Sequence, residues 1–177
     1  AASPLIGEQV ATEGIITAIT ADGFYLQSLP GQVDADRQTS EGVLVSADPG
    51  GLQIGDLARV EGRVEEFFAG GDEQWLGVTR IAAARTSILA NGLPLPQPVL
   101  LGSRDLSPAQ SISALEKYEG MRVRLEPVRV VAASGSGASQ APPKLESGQL
   151  FQAVMQGVER PFLESVFDGN PERIAID

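Results

Sequence analysis

Short runs of alternating apolar and polar residues, punctuated by Gly, Asp and Pro, fill the first ninety positions of the chain. Glu13-Gly14-Ile15-Ile16-Thr17-Ala18-Ile19-Thr20 is rich in β-branched residues and reads as a strand. Ala21-Asp22-Gly23 follows, and Asp-Gly supplies the positive φ values of a type I′ hairpin turn. Phe24-Tyr25-Leu26-Gln27 then sets Phe24 and Leu26 on one face and Tyr25 and Gln27 on the other. The polar stretch 28–40 predicts a loop, Gly42-Val43-Leu44-Val45 a third strand, and Asp48-Pro49-Gly50-Gly51 a break. From Leu57 to Phe67 a longer strand places Leu57, Arg59, Glu61, Arg63 and Glu65 opposite Ala58, Val60, Gly62 and Val64. Ala69-Gly70-Gly71-Asp72 predicts a tip, and 75–88 a returning strand or strand pair.

Five such strands predict an all-β chain whose residues 5–92 form an OB-like five-stranded barrel. Pro49, Gly50 and Gly51 leave room for no more than a short turn between the third and fourth strands. Residues 93–110 read as a connector held extended by Pro94, Pro96 and Pro98, followed by the start of a helix at Ser107-Pro108. Ile112 and Leu115 share that helix's apolar face, and Gly120 ends it. Residues 111–177 predict a second β-rich unit with strands over 121–131, 150–158 and 173–177, and a Ser/Gly/Ala/Pro-rich loop over 132–143. Glu13-Gly14 and Glu119-Gly120 each open a strand, a faint repeat that leaves a second OB-like barrel open as a reading.

Composition narrows the chemistry. Among 177 residues there is no His and no Cys, which excludes Ser-His-Asp and Cys-His centres, thiol nucleophiles, disulfides and His/Cys zinc sites. No apolar run approaches the length of a membrane-spanning helix, so no membrane partner is expected. The net charge of −10 repels nucleic acid and anionic lipid unless the basic residues cluster. They do not cluster in the first ninety residues, where five basic residues face thirteen acidic ones. The interleaving of Arg59 and Arg63 with Glu61 and Glu65 reads as ion pairing across strands. Arg122, Arg124 and Arg129 form the better basic face.

Three groups could carry function. Asp34, Asp36 and Glu41 in the polar loop have the residue type of a Ca²⁺ site without EF-hand spacing, and would suit a Ca²⁺-dependent extracellular module. Among nine aromatic residues, Tyr25 is expected to point outward on the second strand and Trp75 stands beside the Gly-rich tip. Both positions suit base stacking, with Arg37 and Arg80 as phosphate contacts. The alternative reading makes these rings surface or partner contacts of a protein-interaction module that touches no nucleic acid.

The series Glu13-Gly14-Ile15-Ile16-Thr17-Ala18, Gly23-Phe24-Tyr25-Leu26-Gln27, Thr39-Ser40-Glu41-Gly42-Val43-Leu44-Val45 and Ile54-Gly55-Asp56-Leu57-Ala58-Arg59-Val60-Glu61-Gly62-Arg63-Val64 resembles the OB-fold region that precedes the catalytic domain of bacterial extracellular nucleases of the endonuclease/exonuclease/phosphatase family. The likeness continues through Gly92-Leu93-Pro94-Leu95-Pro96, Leu115-Glu116-Lys117-Tyr118-Glu119-Gly120-Met121-Arg122-Val123, Gly157-Val158-Glu159-Arg160-Pro161-Phe162 and Asn170-Pro171-Glu172-Arg173. The resemblance implies a non-catalytic accessory region of a secreted or periplasmic phosphodiesterase, with no cofactor of its own. Its partner would be a downstream catalytic domain carrying two histidines and a Mg²⁺ site, and the final strand would be cut at that boundary. DNA or RNA would be at most a weak ligand of the accessory region.

Overall fold

The computed structural model describes residues 3–68, 77–133, 151–158 and 174–176. Trp75, the Gly-rich tip at 69–72, most of the loop at 132–143 and the start of the strand expected at 173 lie outside them. The all-β expectation holds: ten strands are described, with one short 3₁₀ helix.

The first five strands are β1 (Gln9–Thr20), β2 (Gly23–Gln27), β3 (Gly42–Ser46), β4 (Leu57–Phe67) and β5 (Val78–Ala90). Antiparallel ladders join β1 to β2, β2 to β3, β5 to β4 and β4 back to β1. The ring closes through a parallel ladder of three residue pairs between β3 and β5, from Leu44↔Arg80 to Ser46↔Ala82. The OB-like five-stranded barrel is therefore closed by a short seam. Only turns separate β3 from β4. Strand β1 begins at Gln9, before the apolar run that signals it, because Gln9–Gly14 pair with β4 from Arg63 to Ala58.

Alternation fills the barrel. Phe24, Ile16, Val45 and Val60 are fully buried and pack with Leu26, Ala58 and Ile81 in one cluster, while the residues between them face outward. The buried carboxylate of Asp56 fastens the turn into β4: it accepts the Gln53 N–H at 2.9 Å and the Asn91 side-chain amide at 2.8 Å.

After β5 the Pro-rich connector carries no regular structure up to β6 (Val99–Leu101), which pairs with β7 (Val123–Leu125). The expected helix is a 3₁₀ helix, Ile112–Tyr118, and 107–111 form turns. Ser107 and Ser111 direct their hydroxyls to nearby N–H groups of Ala109 and Ser113, a competition that favours turns over an α-helix. Gly120, at φ +70°, stops the helix as expected. The single strand expected over 121–131 is two, β7 and β8 (Val128–Ala133), because Pro127 has no N–H to continue a ladder. Strand β9 (Phe151–Met155) lies between β8 and β10 (Ile174–Ile176) in a three-stranded antiparallel sheet.

The chain divides into two units, 1–99 with 116–123, and 100–115 with 124–177. This differs from the division expected at residues 92 and 110. Residues 116–123 belong to the barrel's unit because the Glu119 carboxylate accepts the Thr79 N–H at 2.8 Å, the Ser40 hydroxyl donates to the Glu119 carbonyl, and the Arg122 N–H donates to Gln27 Oε1 at 2.9 Å. In the second unit Leu101, Leu106, Ala153, Val154 and Met155 are buried.

Candidate functional site

The outer face of the barrel is set by register. Tyr25 on β2 stands opposite Leu44 on β3, Leu44 opposite Arg80 on β5, and Arg80 opposite Glu65 on β4. Inward Phe24 and Leu26 force half-buried Tyr25 to this face. Two expected site residues, Tyr25 and Arg80, thus lie in one row. Arg37 is exposed on the loop before β3 and does not belong to it.

Arg80 is not a free cation. Its Nη2 and Nε both reach Glu65 Oε2, at 3.0 and 3.2 Å, and its guanidinium lies 4.6 Å from the centre of the Phe67 ring. Arg59 meets Glu13 across the strands and Glu61 along its own strand, each at 3.1 Å. Glu61 first and Glu13 second raise its already high pKa. Arg63 donates to the Gly7 carbonyl. The cross-strand ion pairing expected from the alternation of β4 is present for Arg59 with Glu13 and for Glu65 with Arg80, partners that the local pattern did not expose. Arg59 meets Glu61 along the strand instead, and Arg63 is bound to a carbonyl. Arg122, placed in the basic face by sequence, is half-buried and donates through Nη1 to the Pro96 carbonyl, tying down the connector. Leu44 and Phe67 complete the row and were missed. Phe67 continues the outward alternation of β4, whereas Leu44 is recognisable only once β3 is known to adjoin β5.

The acidic loop organises itself. Asp34 Oδ1 accepts the Asp36 N–H at 2.7 Å and both Asp34 oxygens accept the Thr39 hydroxyl. Asp36 Oδ1 accepts the Gln38 N–H, and Glu41 Oε1 accepts the Asp34 N–H. These are turn-forming bonds of exposed Asp34 and Asp36 and half-buried Glu41. Among the described residues no three carboxylates converge in a way that could hold a metal ion.

A cleft of about 670 Å³ opens at one end of the barrel. Strand β1 has twelve residues and β2 only five, so β1 runs past the end of β2 and leaves a gap on the β3 side. Leu5, Val10, Val43, Val64 and Ile81 give this gap an apolar floor, and Glu41, Glu116 and Glu119 stand around it. Burial raises the pKa of Glu119 above the ordinary 4.5; the Thr79 N–H opposes the shift, and Glu116 and Glu66 add to it by repulsion. The folded protein therefore holds this proton more tightly than the unfolded chain does. Glu119 contributes stability at acidic pH that is lost as pH rises from 4.5 through the raised value. Glu119→Gln keeps an acceptor for Thr79 and removes the charge. It is expected to melt higher than the parent at about pH 7 and level with it near about pH 4. Thermal melts of both proteins across that range check this, and a lower melting temperature for the variant at neutral pH would contradict it.

No protein-family model matches the chain, and no curated protein matches it either.

Proposed function

We propose that the chain is a non-catalytic accessory module of a larger extracellular nuclease or phosphodiesterase, which docks against the catalytic domain and positions or stabilises it. The observation that carries this reading is the pairing of the barrel's cations. Arg59 and Arg80 face carboxylates of the barrel itself, so the surface keeps a net negative character and offers few charges to phosphate. A fixed, internally neutralised sheet face suits protein docking. The resemblance in sequence supplies the kind of protein, and the absence of His and Cys supports the non-catalytic role. Removing residues 1–177 from the longer polypeptide is expected to lower the melting temperature of the remaining catalytic domain. Equal melting temperatures with and without them would remove the docking role.

The row Tyr25–Leu44–Arg80 favours a second reading, weak stacking of single-stranded nucleic acid. Stacking on an aromatic side chain contributes ~1–3 kcal/mol per base. Tyr25→Ala should therefore weaken binding of a labelled single-stranded oligonucleotide roughly fivefold or more in low-salt fluorescence anisotropy. No anisotropy change with the parent at about 50 µM protein removes this reading.

A further inference from the structure

We propose that the cleft at the end of the barrel binds an extended cationic peptide, which adds as a strand to the free edge of β1. The inference stands apart from the docking and stacking readings above, since it concerns neither the outer row nor a catalytic domain.

The edge follows from the ladders. Residues Gln9–Gly14 pair on one side with β4, from Arg63 to Ala58. On the other side the ladder to β2 begins only at Ile15↔Gln27. Among the described residues no strand pairs with that second side of Gln9–Gly14. An unpaired strand edge presents backbone N–H and C=O groups at strand spacing, which is a template for one more strand. Val10, Ala11 and Thr12 of this stretch line the cleft, so the template faces a groove. Across the groove stand Gly42 and Val43 of β3, with Thr79 and Ile81 of β5.

The groove also selects its occupant. Its floor is aliphatic, and an added strand places every second side chain on that floor. The other side chains project towards the rim, where Glu41, Glu116 and Glu119 stand and where, among the described residues, no Lys or Arg lines the cleft. The net charge of the whole chain has the same sign. Nucleic acid and acidic peptides are repelled there. A strand alternating Lys or Arg with Val, Ile or Leu matches both the floor and the rim. The cleft volume falls in the range of ordinary ligand pockets.

The probe is acetyl-Lys-Val-Lys-Val-Lys-Val-Lys-amide, titrated into the intact 177-residue chain at low salt. Calorimetry should detect binding, and the same peptide with Glu in place of Lys should not bind. Two further versions, one N-methylated at the Val residues and one at the Lys residues, lose the N–H groups on opposite edges of the strand. One of them should bind about tenfold or more weakly and the other close to the parent peptide, because only one edge faces β1. Amide shift changes should centre on residues 9–14 and 40–43. Glu41→Gln and Glu119→Gln, which keep their acceptor oxygens, should each weaken binding about two- to fivefold. The proposal is overturned if the Lys-Val peptide does not bind, or if the Glu peptide binds equally well. Equal binding of the two methylated peptides, or shift changes elsewhere on the barrel, would overturn strand addition at this edge. So would peptide-independent self-association with changes at the same amides, which would make a second copy of the chain the occupant.

Discussion

Replacing Phe24 with Ala is expected to lower the unfolding free energy by ~3–5 kcal/mol, the range for deleting a buried aromatic side chain and leaving its cavity. Among the described residues Phe24 is the largest fully buried side chain, and it sits on β2 between β1 and β3, facing Ile16, Val45 and Val60 across the core cluster. A small domain has ~5–15 kcal/mol in total, so this one change removes a large part of it. The melting temperature should fall by more than about 10 °C. Tyr25→Ala, one residue further along, removes a ring of similar size from the outer face and should cost far less, within about 1 kcal/mol. Urea denaturation of the two variants side by side measures the register of β2 directly. If Tyr25→Ala destabilised as much as Phe24→Ala, the inward and outward faces assigned to this strand would be reversed.

The contrast between those neighbours shows which parts of the fold the sequence exposes. Alternation along β2 and β4 is a local property, and by itself it separates Phe24 and Leu26 from Tyr25, and Val60 and Val64 from Arg59 and Glu65. Strand β4 was delimited at both ends by Gly-Asp before it and the Gly-rich tip after it. What the pattern did not carry was adjacency between distant segments. The β3–β5 seam brings Leu44 to Arg80 through three residue pairs, and nothing local to either strand marks that meeting. Gln9–Thr12 become strand because β4 pairs with them, not because they are apolar. Glu119 read as one half of a Glu-Gly repeat. Its partner Thr79 lies forty residues away, so its place in the wall of the cleft was hidden in the sequence. The outer row was therefore half legible, through Tyr25 and Arg80, while the cleft was not legible at all.

The same dependence on distant contacts makes Gly42→Ala the second large effect. Gly42 and Gly120 meet backbone to backbone: a Cβ on Gly42 would lie inside contact distance of the Gly120 carbonyl group and the Met121 nitrogen. Neither neighbour is a flexible side chain that could swing aside. Gly120 itself holds φ +70°, a conformation that glycine adopts without the strain a side chain would bring, which is what lets the two backbones meet. The added methyl must push residues 116–123 away from the start of β3. That movement stretches the bonds from Ser40 to the Glu119 carbonyl, from Thr79 to the Glu119 carboxylate and from Arg122 to Gln27. Overpacking of this kind costs ~1–3 kcal/mol, and here it falls on backbone atoms rather than on the end of a flexible side chain. Gly31→Ala is the control, because an added Cβ there meets nothing within 4 Å. Denaturant titration should show a clear loss for Gly42→Ala and almost none for Gly31→Ala. Displacement of residues 116–123 also returns water to Glu119, so the stability of Gly42→Ala should depend less on pH around the Glu119 titration than that of the parent. An unchanged pH dependence together with unchanged stability would mean that the two glycines are not in contact.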